Sequence, residues 1–288
     1  MRNNKIKMNI VYVTIPRSFI DPYLIPQVNA LNMIRNYDPS ANIVLYSDDD
    51  GVKDYASKNL YHAPDVVIKK GRLPLVNEAL KYCAINFPEC YICYINSDML
   101  LVGNTKELIN YIDKRFSGNF IATGYRCNLH IDTIIKSNEI PDLLTKCSCK
   151  KTKGRHSALD VFIFKSDIFR LLSMPNFPVG RPGWDNWLAA KCRILGFALV
   201  DISNVVTLVH QEHPPAHVQG TWKVSWPIWK EHGISHFASL LECNYRVTSI
   251  NKNYYAKFDI LGWALGLTPF RYLRAAYRII RARILYKI

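Results

Sequence analysis

Short apolar runs alternate with stretches of helical spacing through the first hundred residues, and two of the runs stop at clusters of acids and amides. The run Ile10 to Val13 reads as a buried strand, and apolar residues from Tyr23 to Ile34 recur at helical spacing until Asp38-Pro39. Ile43 to Tyr46 predicts a second strand, ended by Ser47-Asp48-Asp49-Asp50-Gly51, and Val66 to Lys69 a third, shorter one. A helix is predicted from Pro74 to Ile85, followed by the strand Tyr91 to Ile95, which breaks at Asn96-Ser97-Asp98. Strand and helix alternating in this way specify an α/β domain with a mostly parallel central sheet covered by helices on both faces. Ligands of such sheets bind beyond the carboxyl ends of the strands, which places Asp48 to Asp50 and Asn96 to Asp98 on one rim.

In the second half, Phe120 to Thr123 and Leu159 to Phe164 read as strands, with the lysine-rich segment 146–155 as a loop between them. Pro175 to Gly183 leads into a helix from Trp184 to Leu195, and Ala198 to Val209 forms a further strand region ending at His210. The length of 288 residues suits one core with a small appendage, expected here as a domain over 1–250 and a tail over 251–288.

A reaction at a diphosphate needs positive charge, often a divalent cation held by a carboxylate at a strand end. Asp98 is at such a position, and Asn96, two residues earlier, points to the same side of an extended chain. The same three residues are also an ordinary strand terminator. The stretch GRLPLVNEALKYCAINFPECYICYINSDMLL resembles the segment of GT-A glycosyltransferases in which a loop and helix precede a strand ending in the Asp-x-Asp motif. The resemblance implies that Asp98 is the metal-binding acid, that Asn96 replaces the first acid, and that Asn77 lies near the nucleotide.

LDVFIFKSDIF followed by GWDNWLAAKCRILGF is similar to the acceptor-side segment of inverting GT-A enzymes, in which an acidic pair opens a helix. Asp185 matches the second acid of that pair, and Trp184 stands in place of the first. A carboxylate at a helix N-terminus can take the proton of an acceptor hydroxyl or can simply cap the helix, and the residues alone leave both readings open.

In VHQEHPPAHVQGTWK, His210, His213 and His217 follow a strand, where GT-A enzymes often place a late metal or diphosphate ligand. His217-x-x-Gly220-x-x-Lys223 also resembles a signature of retaining, glycogenin-like transferases. Inversion is the first expectation, and that signature leaves the stereochemistry open. Taken over residues 8–225, the order of these motifs implies a GT-A-like transferase using a nucleotide-sugar donor. Thr14, Asp48 and Asn77 would face the nucleoside, and Asn96, Asp98 and Lys223 the diphosphate. Mn²⁺ or Mg²⁺ would be held by Asp98, His210 and His217, with Asp185 as base. A nucleotidyltransferase is the rival enzyme, although the basic glycine-rich loop such enzymes place after the first strand is missing. A non-catalytic basic module binding nucleic acid or membrane is the rival of another class, with acids at strand ends weighing against it.

The formal charge of +14 is unevenly placed, because residues 251–288 hold eight Lys and Arg against the single acid Asp259. From Phe270 to Tyr286, Leu273, Tyr277, Ile280 and Ile284 recur at helical spacing, while Arg271, Arg274, Arg278 and Arg281 line another face. Such a helix either lies on an anionic membrane, the expectation taken here, or docks on the core. The acceptor is then expected to be a glycan or lipid-linked molecule at the cytoplasmic face of a membrane, with no nucleic-acid partner. The chain opens without an apolar leader and holds no long apolar stretch, so it is expected to be neither secreted nor membrane-spanning. The eight cysteines are irregularly spaced and read as buried free thiols of a reducing compartment, and Cys90 and Cys93 should point to opposite faces of their strand.

Overall fold

The computed structural model describes residues 9–148, 154, 158–212, 227–228, 238–250, 253–265 and 267. The expected tail helix over 270–286, most of the lysine-rich loop, and His213, His217 and Lys223 lie outside the described residues.

The first half alternates β1 (Ile10–Thr14), α1 (Leu24–Tyr37), β2 (Asn42–Leu45), α2 (Val52–Lys58), the two-residue strands β3 (Lys69–Lys70) and β4 (Leu73–Pro74), α3 (Val76–Asn86) and β5 (Tyr91–Ile95). There follow β6 (Met99–Val102), α4 (Thr105–Phe116), β7 (Phe120–Thr123), β8 (Arg126–His130), α5 (Ile140–Ser148), β9 (Val161–Lys165), α6 (Ile168–Leu172) and α7 (Trp184–Ile194). The described chain closes with β10 (Ala198–Asp201), β11 (Thr207–Glu212), the hairpin β12 (Tyr245–Ile250) and β13 (Asn253–Phe258), and the short α8 (Ile260–Leu265).

Eight strands form the main sheet in the order β13-β12-β10-β7-β9-β5-β1-β2. β2, β1, β5, β7, β10 and β12 run one way, and only β9 and β13 run against them. Alternate residues feed two cores. Val11, Val13, Ile92, Tyr94, Phe162 and Phe164 face α3, α6 and α7. Ile10, Tyr12, Tyr91, Cys93, Ile95 and Ile163 face the side covered by α1, α2 and α4. Burial on both faces explains why these strands read as unbroken apolar runs, each fully buried side chain contributing about 1.5–3 kcal/mol. Cys90 and Cys93 fall on opposite faces, as the pleat requires.

Four expectations change. The strand expected at Val66 to Lys69 shrinks to the β3–β4 hairpin. The region Ala198 to Val209 is two strands, β10 in the main sheet and β11 in a second sheet of order β6-β11-β8. The main sheet continues through Phe258, past the boundary expected at residue 250, because β13 pairs antiparallel with β12 from Asn253 to Phe258. Finally, Cys127 and Cys147 form a disulfide rather than two free thiols, with Cα atoms 5.6 Å apart. Packing of α5 on β8 and β11 in a third apolar cluster brings them together, and nothing in their spacing along the chain could show it. Cys83, Cys90, Cys93, Cys192 and Cys243 are free and buried, and burial pushes their thiols up. Among the described residues, no helix is long and apolar enough to cross a membrane.

Candidate active site

The carboxyl end of β5 is where the two sheets meet. Asn96 to Asp98 form a tight turn, closed by the Met99 N–H donating to the Asn96 carbonyl at 3.0 Å, and the chain leaves it directly as β6. The expectation of an extended Asn96-x-Asp98 is thereby corrected, yet the turn keeps both residues at one site. It is held through the backbone: the Gln211 N–H donates to the Asp98 carbonyl at 3.1 Å, and Gln211 Nε2 donates to the same oxygen at 3.2 Å. Gln211 is fully buried and is fixed in turn by Asn29 Nδ2, which donates to Gln211 Oε1 at 3.0 Å.

β9 runs antiparallel to β5, so its first residues share this rim: Ile95 pairs with Val161, and the Asn96 N–H donates to the Asp160 carbonyl at 3.1 Å. The Asp160 carboxylate accepts from Asn96 Nδ2 at 2.7 Å and from Arg126 Nη1 at 2.5 Å. Burial raises the pKa of Asp160, Arg126 opposes that rise, and Asp98 adds to it. On β11, directly across from Met99, His210 Nε2 lies 3.4 Å from Asp98 Oδ2.

α7 supplies the fourth wall. Gly183 adopts φ +107°, a left-handed conformation that favours glycine, and turns the chain from the Pro175–Gly183 segment into the helix. Trp184 then enters the core, its ring 4.8 Å from Tyr94 and 5.5 Å from Phe162, so the residue that replaces an acid of the motif serves packing instead. Asp185, one position on, is left at the rim, and its Oδ2 accepts the Leu159 N–H at 3.3 Å. Burial pushes Asp185 up to about 7, with backbone N–H groups of Asn186 and Leu159 opposing and the charge of Asp160 adding to the rise. Desolvation here outweighs the backbone N–H groups that hold a helix-capping carboxylate low.

Asn96, Asp98, Asp185 and His210 are thus brought to one rim. Thr14, at the end of β1, is buried, and it lines a small crevice with Pro16, Gln27, Ile95, Asn96 and Ser97. Asp48 follows β2 and pairs with Lys69 Nζ. Asn77, in the first turn of α3, donates to Asn176 Oδ1 at 2.9 Å. Neither Asp48 nor Asn77 is hydrogen-bonded to the Asp98 cluster among the described residues. Two members of the cluster were not singled out from the sequence. Asp160 opens the LDVFIF strand and could have been marked as an acid at a strand end, whereas Arg126 carries no signal, because its place depends on β8 pairing with β11 some eighty residues later.

No protein-family model matches the chain, and no curated protein matches it in sequence. Among solved structures it is similar to S. aureus TarS residues 1–349 in complex with UDP-GlcNAc, with TM-score 0.51 and 14% identity, covering 82% of this chain and 71% of that one. The fold is GT-A-like. A looser likeness, TM-score 0.39 and 11% identity, is to a proposed glucose-1-phosphate thymidylyltransferase from Bacillus anthracis in complex with a sucrose, over 67% of this chain and 85% of that one. Within the GT-A-like fold, the cluster around Asp98 occupies the rim at the carboxyl ends of the parallel strands, beside the reversed strand β9.

Proposed function

We propose that the protein is a nucleotide-sugar-dependent glycosyltransferase that moves a sugar to a hydroxyl of a glycan or lipid-linked acceptor at a membrane surface. The observation that carries the reading is Asp185: a carboxyl with its acidity shifted to about 7, on the rim that also holds Asp98, Asp160 and His210. The GT-A-like fold adds support, since TarS holds UDP-GlcNAc in a similar one.

In this mechanism the donor lies across the ends of β1 and β5, with Thr14, Asp48 and Asn77 on the nucleoside side and Asn96, Asp98 and Lys223 toward the diphosphate. Asp98 Oδ2 and His210 Nε2, 3.4 Å apart, fit as two donors of one Mn²⁺ or Mg²⁺ ion, and an imidazole is acceptable in an oxygen-rich set. His217 would be a third. When bound, such an ion supplies positive charge to the leaving diphosphate. Asp185 accepts the proton of the acceptor hydroxyl, and its partly desolvated position keeps it basic enough to do so. Inversion is the stereochemistry proposed, with Asp185 placed as base on the acceptor side.

A thermal-shift panel tests the reading. UDP, GDP or CDP with Mn²⁺ is expected to raise the melting temperature; no shift from any nucleotide would sink the transferase assignment and favour a non-catalytic basic module.

Attachment to the membrane is proposed through residues 268–288, with Arg271, Arg274, Arg278, Arg281 and Arg283 facing anionic lipid and Leu273, Tyr277, Ile280 and Ile284 entering it. The adjoining α8 supports this, because Ile260 and Leu261 each expose 70% of their surface and Trp263 is also exposed. Each arginine near such a surface contributes on the order of 1 kcal/mol. Removing 268–288 leaves the sheet intact and is expected to abolish co-sedimentation with anionic liposomes at low salt, while activity on a soluble acceptor persists. Equal liposome binding by the two forms would rule the attachment out.

A further inference from the structure

Arg126 is the one guanidinium hydrogen-bonded within the Asp98 cluster among the described residues, and its surroundings are unusual for a structural ion pair. The Asp160 carboxylate is gripped on both sides, by the Asn96 amide on Oδ1 and by Arg126 Nη1 on Oδ2. Arg126 Nε, by contrast, is buried and has no hydrogen-bond partner among the described residues, although the side chain as a whole keeps 20% of its surface. Leaving a buried donor unsatisfied is costly, and a guanidinium presents five donors in a fixed fork of which Asp160 engages Nη1, so the group keeps donors that an anion at this rim could use. Gly154 packs against this arginine: its N–H donates to the Arg126 carbonyl at 2.9 Å, and a Cβ there would lie 2.9 Å from Arg126 Cγ. The side chain is therefore confined by Gly154 on one side and by Asp160 on the other.

We propose that Arg126 binds the phosphate oxygens of a nucleoside diphosphate, and that Asn96 and Asp160 are positioning residues holding its guanidinium for that contact. The inference rests on the transferase reading and deepens it by naming a protein cation, in addition to Lys223, that meets the diphosphate. It also gives the Asn-Ser-Asp turn a physical reason. An acid at position 96 would set a second carboxylate against Asp160 in place of the amide that now donates to it at 2.7 Å, and like charges at that range repel. Asn96 and Asp160 thus form an exchangeable pair: one amide, one carboxylate, with Arg126 on the carboxylate.

The test is equilibrium binding by the full-length protein, with Mn²⁺ present, of UDP, GDP and CDP, each beside its nucleoside. Arg126→Ala is expected to weaken the bound diphosphate by about 10- to 100-fold, the range for a hydrogen bond to a charged group, and to leave the nucleoside unchanged. Should that variant fail to fold, Arg126→Lys carries the test, with the same split at smaller size. Asn96→Asp is expected to lose diphosphate affinity, and the double exchange Asn96→Asp with Asp160→Asn to regain most of it. Diphosphate binding unaffected in Arg126→Ala, equal loss of nucleoside and diphosphate, or a double exchange no better than Asn96→Asp alone would each overturn the proposal. Failure of the wild-type protein to bind any of the diphosphates would overturn the transferase reading with it, whereas wild-type binding with an unaffected Arg126→Ala overturns this inference alone.

Discussion

Asp185→Asn is expected to lower the rate of sugar transfer by about 10²- to 10⁴-fold with donor affinity nearly unchanged, the usual contribution of a general base. The amide keeps the shape and can still accept the Leu159 N–H that now meets Oδ2 at 3.3 Å, so the start of α7 is preserved. In the wild-type enzyme the rate should rise with pH through a midpoint near 7, where the Asp185 carboxyl loses its proton, and the variant should lack that rise. The same shift predicts a gain in stability. Burial raises Asp185 from 3.8 in the unfolded chain to about 7 in the folded one, so the folded state favours the protonated form. The stabilisation this group contributes is full below about pH 4 and is lost as pH rises through about 7. Asparagine never ionises and escapes that loss, so the variant should exceed the wild type in stability by roughly 4 kcal/mol at pH 8 and by little at pH 4. Urea denaturation at the two pH values checks this. A stability difference that does not change with pH, or transfer within a few-fold of wild type, would return Asp185 to the role of a cap.

Asp98→Ala should cut turnover by roughly 10²- to 10³-fold or more, the scale of losing a group that stabilises charge in the transition state. The fold should survive. The turn at Asn96 to Asp98 is closed by main-chain atoms, with Gln211 donating twice to the Asp98 carbonyl, and alanine presents the same carbonyl. The lost side chain is partly exposed and packs no core. Steady-state assay beside a melting curve separates the two effects: near-normal turnover in a well-folded variant would remove Asp98 from the mechanism, and a collapsed melting temperature would show that its carboxylate supports the turn.

Local pattern was sufficient for much of the sheet. β1, β2, β5, β7 and β9 were legible because their residues are buried on both faces and read as apolar runs closed by turn residues. α3 and α7 were legible from spacing, and the Pro175–Gly183 segment marked the start of α7. β6 and β8 were not, since each is an edge of a three-stranded sheet whose central strand, β11, lies far along the chain. β12 and β13 were passed over because polar and apolar residues mix in an edge hairpin. Asp98 and Asp185 stood out as acids placed at element ends, a feature of the sequence alone.

Their meeting on one rim did not follow from that pattern. It required the reversed strand β9 to bring Asp160 beside Asn96, the pairing of β8 with β11 to bring Arg126 and His210 into reach, and Trp184 to turn inward so that Asp185 stays out. The acidity of Asp185 is likewise a property of the assembled fold. The sequence determined which side chains could ionise and where strands would end. Tertiary packing decided which charges are desolvated together, because desolvation depends on neighbours that only long-range pairing brings within a few ångströms.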